Sequence, residues 1–186
     1  QENAVSETAF FIDKGKDIDL RWFTPDQEID LCGHATLSTA HVLKSVLNYS
    51  SNKILFNTMS GQLKVIYKDD LYYLDFPSKK AKSAILPKEI AMSLNIQPKE
   101  VFKSRDYMLV YESQKEIENI KINRHFFDQI NLGHGGVIVT AKGDLVDFVS
   151  RYFTPQATIL EDPVTGSAHC TLTPFWSSKL RKKELN

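Results

Sequence analysis

Cysteine is scarce in this chain: Cys32 and Cys170 are the two thiols among 186 residues. Two thiols do not make the disulfide framework of a small secreted domain, and a reducing, cytosolic setting fits the composition. A run of roughly 18 or more apolar residues is missing, so no membrane-spanning helix is predicted. The residues from Gln1 onward carry no signal-peptide pattern. An excess of one charge is missing too. Lys and Arg number 23 and Asp and Glu number 23, for a formal net charge of zero. That balance argues against nucleic acid or an anionic membrane surface as the main partner. The one basic cluster, Lys179 to Lys183, reads as a solvated helix face. His41, His125 and His134 show no ligand spacing, so neither a metal nor a cofactor is expected. Gly133-His134-Gly135-Gly136 lacks the strand-then-helix context of a dinucleotide loop.

What is present is ordinary globular material. The composition is 42% hydrophobic, enough for one large or two small cores. The most informative feature is an internal repeat. Arg21-Trp22-Phe23-Thr24-Pro25 leads through an acidic loop to Cys32-Gly33-His34-Ala35-Thr36-Leu37. Arg151-Tyr152-Phe153-Thr154-Pro155 leads through a loop three residues longer to Gly166-Ser167-Ala168-His169-Cys170-Thr171-Leu172. Each copy reads as strand, loop, then helix, and a duplication explains five matching positions in a row better than chance.

Around these junctions strands dominate. Ala9 to Ile12 and Leu20 to Phe23 read as strands, with Leu31 to about Leu47 as a helix whose apolar residues cover more than one face. Strand patterns with hairpin breaks fill Lys53 to Phe76. Pro77 to Ser83 is the linker candidate. Pro87 starts a short helix, Lys115 to Ile122 and His125 to Ile130 are weakly helical, and Gly135 to Ala141 with Leu145 to Phe153 form a strand pair. The last helix contains Pro174, which predicts a kink or an early break. The expected fold is α+β, with similar halves over 1–78 and 79–186. Each half is a curled sheet around a central helix, and a cleft lies between them. The sequence opens and closes inside structured-looking segments, so a longer protein is expected.

The chemistry concentrates at the two helix starts. Gly166 offers a backbone conformation closed to other residues, Ser167 is a good N-cap, and free N–H groups there suit a carboxylate. His34 reads either as a neutral imidazole, its pKa lowered by the helix dipole, that orients a substrate, or as a helix cap. Cys32 reads either as a reactive thiol or as a small packed residue.

Asp162-Pro163-Val164-Thr165-Gly166-Ser167-Ala168, Cys32-Gly33-His34-Ala35-Thr36 and Glu2-Asn3-Ala4-Val5-Ser6-Glu7-Thr8-Ala9-Phe10 together resemble the PhzF phenazine-biosynthesis isomerase-like family, of the diaminopimelate epimerase fold. The resemblance covers almost the whole chain. It implies a cytoplasmic, homodimeric, cofactor-independent isomerase of a small carboxylate-bearing molecule. It also implies a strand region before Gln1 and a tail after Asn186. In phenazine producers the substrate is trans-2,3-dihydro-3-hydroxyanthranilate. The family's acid/base glutamate is carried onto Glu2, which from its surroundings alone reads as a helix-start acid. Substrate contacts are carried onto Gly33, His34, Asp162, Gly166 and Ser167. Epimerases of the same fold use two opposed cysteines. Here Cys32 occupies the first position and Asp162-Pro163 the second, so a two-thiol mechanism is not expected. A racemase assisted by Cys32, or a binding protein that has kept the fold, are the alternatives.

Overall fold

A computed structural model describes residue 5 and residues 7–186. The chain divides into two compact units: Gln1–Pro77 with Val164–Ser167, and Ser78–Pro163 with Ala168–Asn186.

The first unit holds one sheet. Its strands are β1 (Thr8–Asp13), β2 (Ile18–Phe23), β3 (Glu28–Ile29), β4 (Lys53–Thr58), β5 (Gly61–Lys68) and β6 (Leu71–Asp75). The order is β1-β2-β4-β5-β6, with β3 paired to β2. β2 shows why the sheet has a defined inner face. Ile18, Leu20 and Trp22 are buried, whereas Asp19 and Arg21 between them are not. That period of two matches the pleat. β4 and β5 continue the face with Ile54, Phe56, Leu63 and Val65, all buried. Helix α1 (Gly33–Ser45) buries Ala35, Thr36, Thr39, Ala40 and Leu43, one stripe at helical spacing. Its second apolar side, with Leu37, Val42, Val46 and Leu47, is exposed among the described residues.

The second unit is built on β7 (Lys82–Ser83), β8 (Glu100–Lys103), β9 (Tyr107–Val110), β10 (Val137–Lys142), β11 (Phe148–Phe153) and β12 (Glu161–Asp162), in the order β12-β11-β10-β9-β8-β7. Helices α2 (Lys88–Ser93), α3 (Gln114–Asn119) and α4 (Arg124–Phe127) precede a single 3₁₀ turn, Gly166–Ala168, and helix α5 (His169–Leu180). β10 is apolar almost throughout because both its faces are covered. Val137, Val139 and Ala141 pack in one core with Ile90, Ile117 and Phe127, whereas Ile138 packs in another with Leu172 and Trp176. The Trp176 indole N–H donates to Thr140 Oγ1 at 3.0 Å, so the one polar residue of β10's buried run is matched.

Pro174 does not end α5, which runs unbroken from His169 to Leu180. A proline leaves the carbonyl four residues earlier without its helical donor. Here that carbonyl, Cys170 O, accepts from Lys79 N at 2.7 Å. The helix passes its proline because a strand-free stretch supplies the missing N–H. The charged run after α5 is not helical: Arg181 takes a left-handed conformation (φ 57°) and Lys182 N closes back on Ser177 O at 3.1 Å.

The sequence repeat is a structural repeat. β2 pairs with β3 through Trp22–Ile29 and Phe23–Glu28, and β11 pairs with β12 through Tyr152–Asp162 and Phe153–Glu161. Arg21 forks onto both carboxylate oxygens of Glu28, and Arg151 onto both of Glu161. Each guanidinium also lies over the next-but-one phenylalanine ring, Phe23 and Phe153, at 5.2 and 5.0 Å. The copies differ in burial. Arg151 additionally donates to Ile117 O and Ile120 O, the carbonyls at the end of α3. Arg151→Met should therefore cost about 1.5–3 kcal/mol, the usual worth of hydrogen bonds to a charged group. Arg21→Met, at a largely exposed site, should cost less. Urea unfolding midpoints of the two variants test the ordering, and equal shifts would contradict it.

Candidate active site

The first unit carries a groove of about 510 Å³ between β1 and α1, lined by Val5, Glu7, Ala9, Phe11, His34, Ala35, Ser38, Thr39 and Val42. Two periodicities build it. Glu7 lies just before β1, in step with Ala9 and Phe11 along an extended chain, so all three point the same way. On α1, positions 35, 38, 39 and 42 form one helical stripe.

The mouth of α1 is held without a side-chain cap. Cys32 is the N-cap residue in extended conformation (φ −139°, ψ 114°). Its carbonyl accepts from Thr36 N at 3.3 Å and Thr36 Oγ1 at 2.5 Å. Gly33 follows, and its glycine is required by a neighbour rather than by φ. A Cβ on Gly33 would stand 2.8 Å from Gly166 Cα, and one on Gly166 would stand 2.9 Å from Gly33 Cα. Neither residue has a positive φ, so the expectation of a special conformation at Gly166 is corrected: close backbone contact is what excludes a side chain. Ser167 is buried within the 3₁₀ turn and is not the cap of α5. The N-cap residue is Ala168, because the 3₁₀ turn delays the first α-helical turn.

His34 is the centre of the site. Its Nε2 stands 3.0 Å from Glu7 Oε2, its Nδ1 stands 3.2 Å from Val164 O, and Cys32 Sγ lies 3.9 and 3.8 Å from the two nitrogens. With both nitrogens protonated, each N–H has an oxygen acceptor. The Cys32 sulfur, and after it the Glu7 carboxylate, hold the imidazolium against partial burial and push its pKa up to about 11. The expected neutral imidazole is overturned: a sulfur and a carboxylate at contact distance outweigh the dipole of a helix start, which acts the other way.

Gly33, His34, Gly166 and Ser167 thus fall in the first unit, together with Cys32 and Glu7. Asp162 belongs to the second unit, where it is half-buried in β12 opposite Tyr152. Glu2 lies outside the described residues. Cys170 is buried, and that burial pushes its thiol up, which does not suit it as a reactive partner thiol. Glu7 is the residue that sequence reasoning missed. The signal was available: the inward alternation of Ala9 and Phe11, extended by one step, reaches Glu7. The ligand-type cluster Glu7, Cys32 and His34 was also hidden, since Glu7 comes from the β1 side and Cys32 and His34 from the start of α1.

A family model described as phenazine biosynthesis-like protein matches residues 1–186. An uncharacterized isomerase of Pseudomonas aeruginosa is 43% identical over 186 residues, covering all of this chain and 71% of that protein. The crystal structure of a PhzF-family phenazine biosynthesis protein of Enterococcus faecalis has a TM-score of 0.87 at 43% identity, covering 99% of this chain and 70% of that one. A hydroxyproline epimerase of Agrobacterium vitis shares the fold, with a TM-score of 0.59 at 10% identity over 95% of this chain and 60% of that one.

Two outcomes are expected from this geometry. An NMR titration should show the His34 ring charged throughout about pH 5–9, beyond the ordinary range of histidine. Cys32→Ala should bring its titration back toward that range, and a wild-type His34 that titrates near 6.5 would contradict the arrangement. Gly33→Ala drives a methyl into the Gly166 backbone, which has no flexible end to yield. It should cost about 1–3 kcal/mol in urea unfolding, as overpacking does, and an unchanged midpoint would show that the contact is not tight.

Proposed function

The chain belongs to the phenazine biosynthesis-like (PhzF) protein family; we propose that this isomerase moves a proton within a small carboxylate-bearing substrate, without a cofactor, by acid/base catalysis at Glu7. The observation that carries the reading is the Glu7–His34 pair lining an open groove. An ionised carboxylate beside a fixed imidazolium is a base whose partner keeps its charge through the proton transfer. Glu7 takes a proton as a substrate C–H bond breaks, the double bond shifts, and Glu7, whose carboxyl proton exchanges with solvent, returns a proton to another atom of the same molecule. Nothing is oxidised and no water is consumed. The N–H groups at the start of α1 and at Gly166 and Ser167 suit the substrate carboxylate. His34, locked by Val164 O and Glu7, orients rather than shuttles. Asp162 carries over as a substrate-binding residue from the family resemblance alone, as does the homodimer, and the cytoplasmic setting rests on the scarcity of cysteine.

This assigns to Glu7 the role that the resemblance had carried onto Glu2, and the two are separable by experiment. With trans-2,3-dihydro-3-hydroxyanthranilate as first probe, or with a ligand identified by mass spectrometry of the purified protein, solvent deuterium incorporation is followed in D₂O. Glu7→Gln should lose about 10²–10⁴-fold, the usual worth of a general acid/base. Glu2→Gln and Cys32→Ala should lose much less. An active Glu7→Gln protein beside a dead Glu2→Gln protein would return the role to Glu2. An active Glu7→Gln protein beside a dead Cys32→Ala protein would make this a thiol-assisted racemase, a reading favoured by the Cys32–His34 contact. Ligand that binds without any exchange would make it a binding protein.

A further inference from the structure

We propose that Glu7, Cys32 and His34 form a binding site for one thiophilic divalent cation of the Zn²⁺ class, with its fourth coordination position open to the groove. One ligand atom from each side chain lies within 4.8 Å of the other two. His34 Nε2 is 3.0 Å from Glu7 Oε2 and 3.8 Å from Cys32 Sγ. Zinc bonds of about 2.0–2.3 Å in a tetrahedron set ligand–ligand edges of about 3.3–3.6 Å; the Glu7–His34 pair needs a few tenths of an ångström to reach that spacing, and Cys32 Sγ, which stands 3.9 and 3.8 Å from the two ring nitrogens, joins them by turning about its Cα–Cβ bond toward Nε2. One sulfur, one nitrogen and one carboxylate oxygen is a donor set that suits zinc and disfavours magnesium or calcium.

The surroundings are also those of a ligand site. A metal-bound imidazole needs its second nitrogen held by an acceptor, which fixes the tautomer. His34 Nδ1 already faces Val164 O at 3.2 Å, leaving Nε2 toward Glu7. Cys32 is buried at 4% exposure, and Glu7 Oε2 is out of contact with solvent, so little water need be stripped from either donor. The backbone beneath them is rigid, since Cys32 and His34 flank Gly33, which is pinned against Gly166. A bound ion would take Glu7 out of proton transfer and His34 out of its orienting role. Inhibition, unlike binding, rests on Glu7 being the acid/base proposed above.

The test is a titration of the purified, metal-free full chain with CoCl₂. Expected are intense tetrahedral d–d bands and a thiolate-to-cobalt charge-transfer band at one equivalent, both removed by ZnCl₂ and both unaffected by excess MgCl₂. Cys32→Ser should abolish the charge-transfer band, whereas Cys170→Ser should leave it. Glu7→Gln and His34→Asn should each weaken binding by at least the about 10–100-fold that losing an outer-shell partner typically costs. Circular dichroism identifies any variant that fails to fold, and the remaining ones decide. Absence of the charge-transfer band, its loss with Cys170 instead, or unchanged affinity in folded Glu7→Gln and His34→Asn proteins would overturn the site. Zn²⁺ that binds here without slowing deuterium incorporation would leave the site standing and sink the acid/base reading. A silent titration beside a dead Glu7→Gln protein would do the reverse.

Discussion

Two glycine backbones in contact set the terms for the rest of the site. Gly33 and Gly166 approach so closely that a methyl group on either would overlap the other's Cα. That contact fixes where α1 begins and where the returning segment Val164–Ser167 lies. Val164 O is thereby available to His34, and His34 is held facing Glu7 and Cys32. A site assembled on rigid backbone loses little free energy to ordering when a ligand arrives. The polar groups here are positioned by an absence of side chains next to them.

Much of this was legible in the sequence, and the reasons differ by residue. The repeat was legible because its structural duties are done by the repeated residues themselves: Arg21 and Arg151 fork onto Glu28 and Glu161, and each strand buries the aromatic that follows its arginine. Gly33 and His34 were legible as helix-start residues, and Gly166 and Ser167 as the approach to a helix, although a 3₁₀ turn precedes α5 there. Glu7 was legible only as an inward-facing position, by extending the alternation of Ala9 and Phe11 one step; its role was not, because its partner lies on a different element and pairing across elements leaves no local trace. The state of His34 was misjudged for the same reason. The helix dipole is local and visible in sequence, whereas the sulfur and carboxylate that outweigh it are brought in by the fold.

Pro174 illustrates the opposite limit. A proline inside a helix is a strong local signal, and the local physics is not wrong. It is offset by one hydrogen bond from Lys79, more than ninety residues away in sequence. Lys79 falls in the stretch that reads as a linker, a segment whose lack of periodicity says nothing about the N–H groups it can lend elsewhere.

The segment Val164–Ser167 has a consequence for how the chain acquires its structure. It groups with the first unit although it lies between two parts of the second, and its bond from Val164 O to His34 spans 130 residues. Contacts between distant residues are slow to form because a long loop must close first. On the ribosome, the first unit can build its sheet as soon as Asp75 has emerged, but the carbonyl that anchors His34 Nδ1 is absent until Val164 is made. The histidine waits, with one ring nitrogen unanchored, through the synthesis of most of the second unit. Chains released early would contain the β-sheet and a histidine held by Glu7 and Cys32 alone.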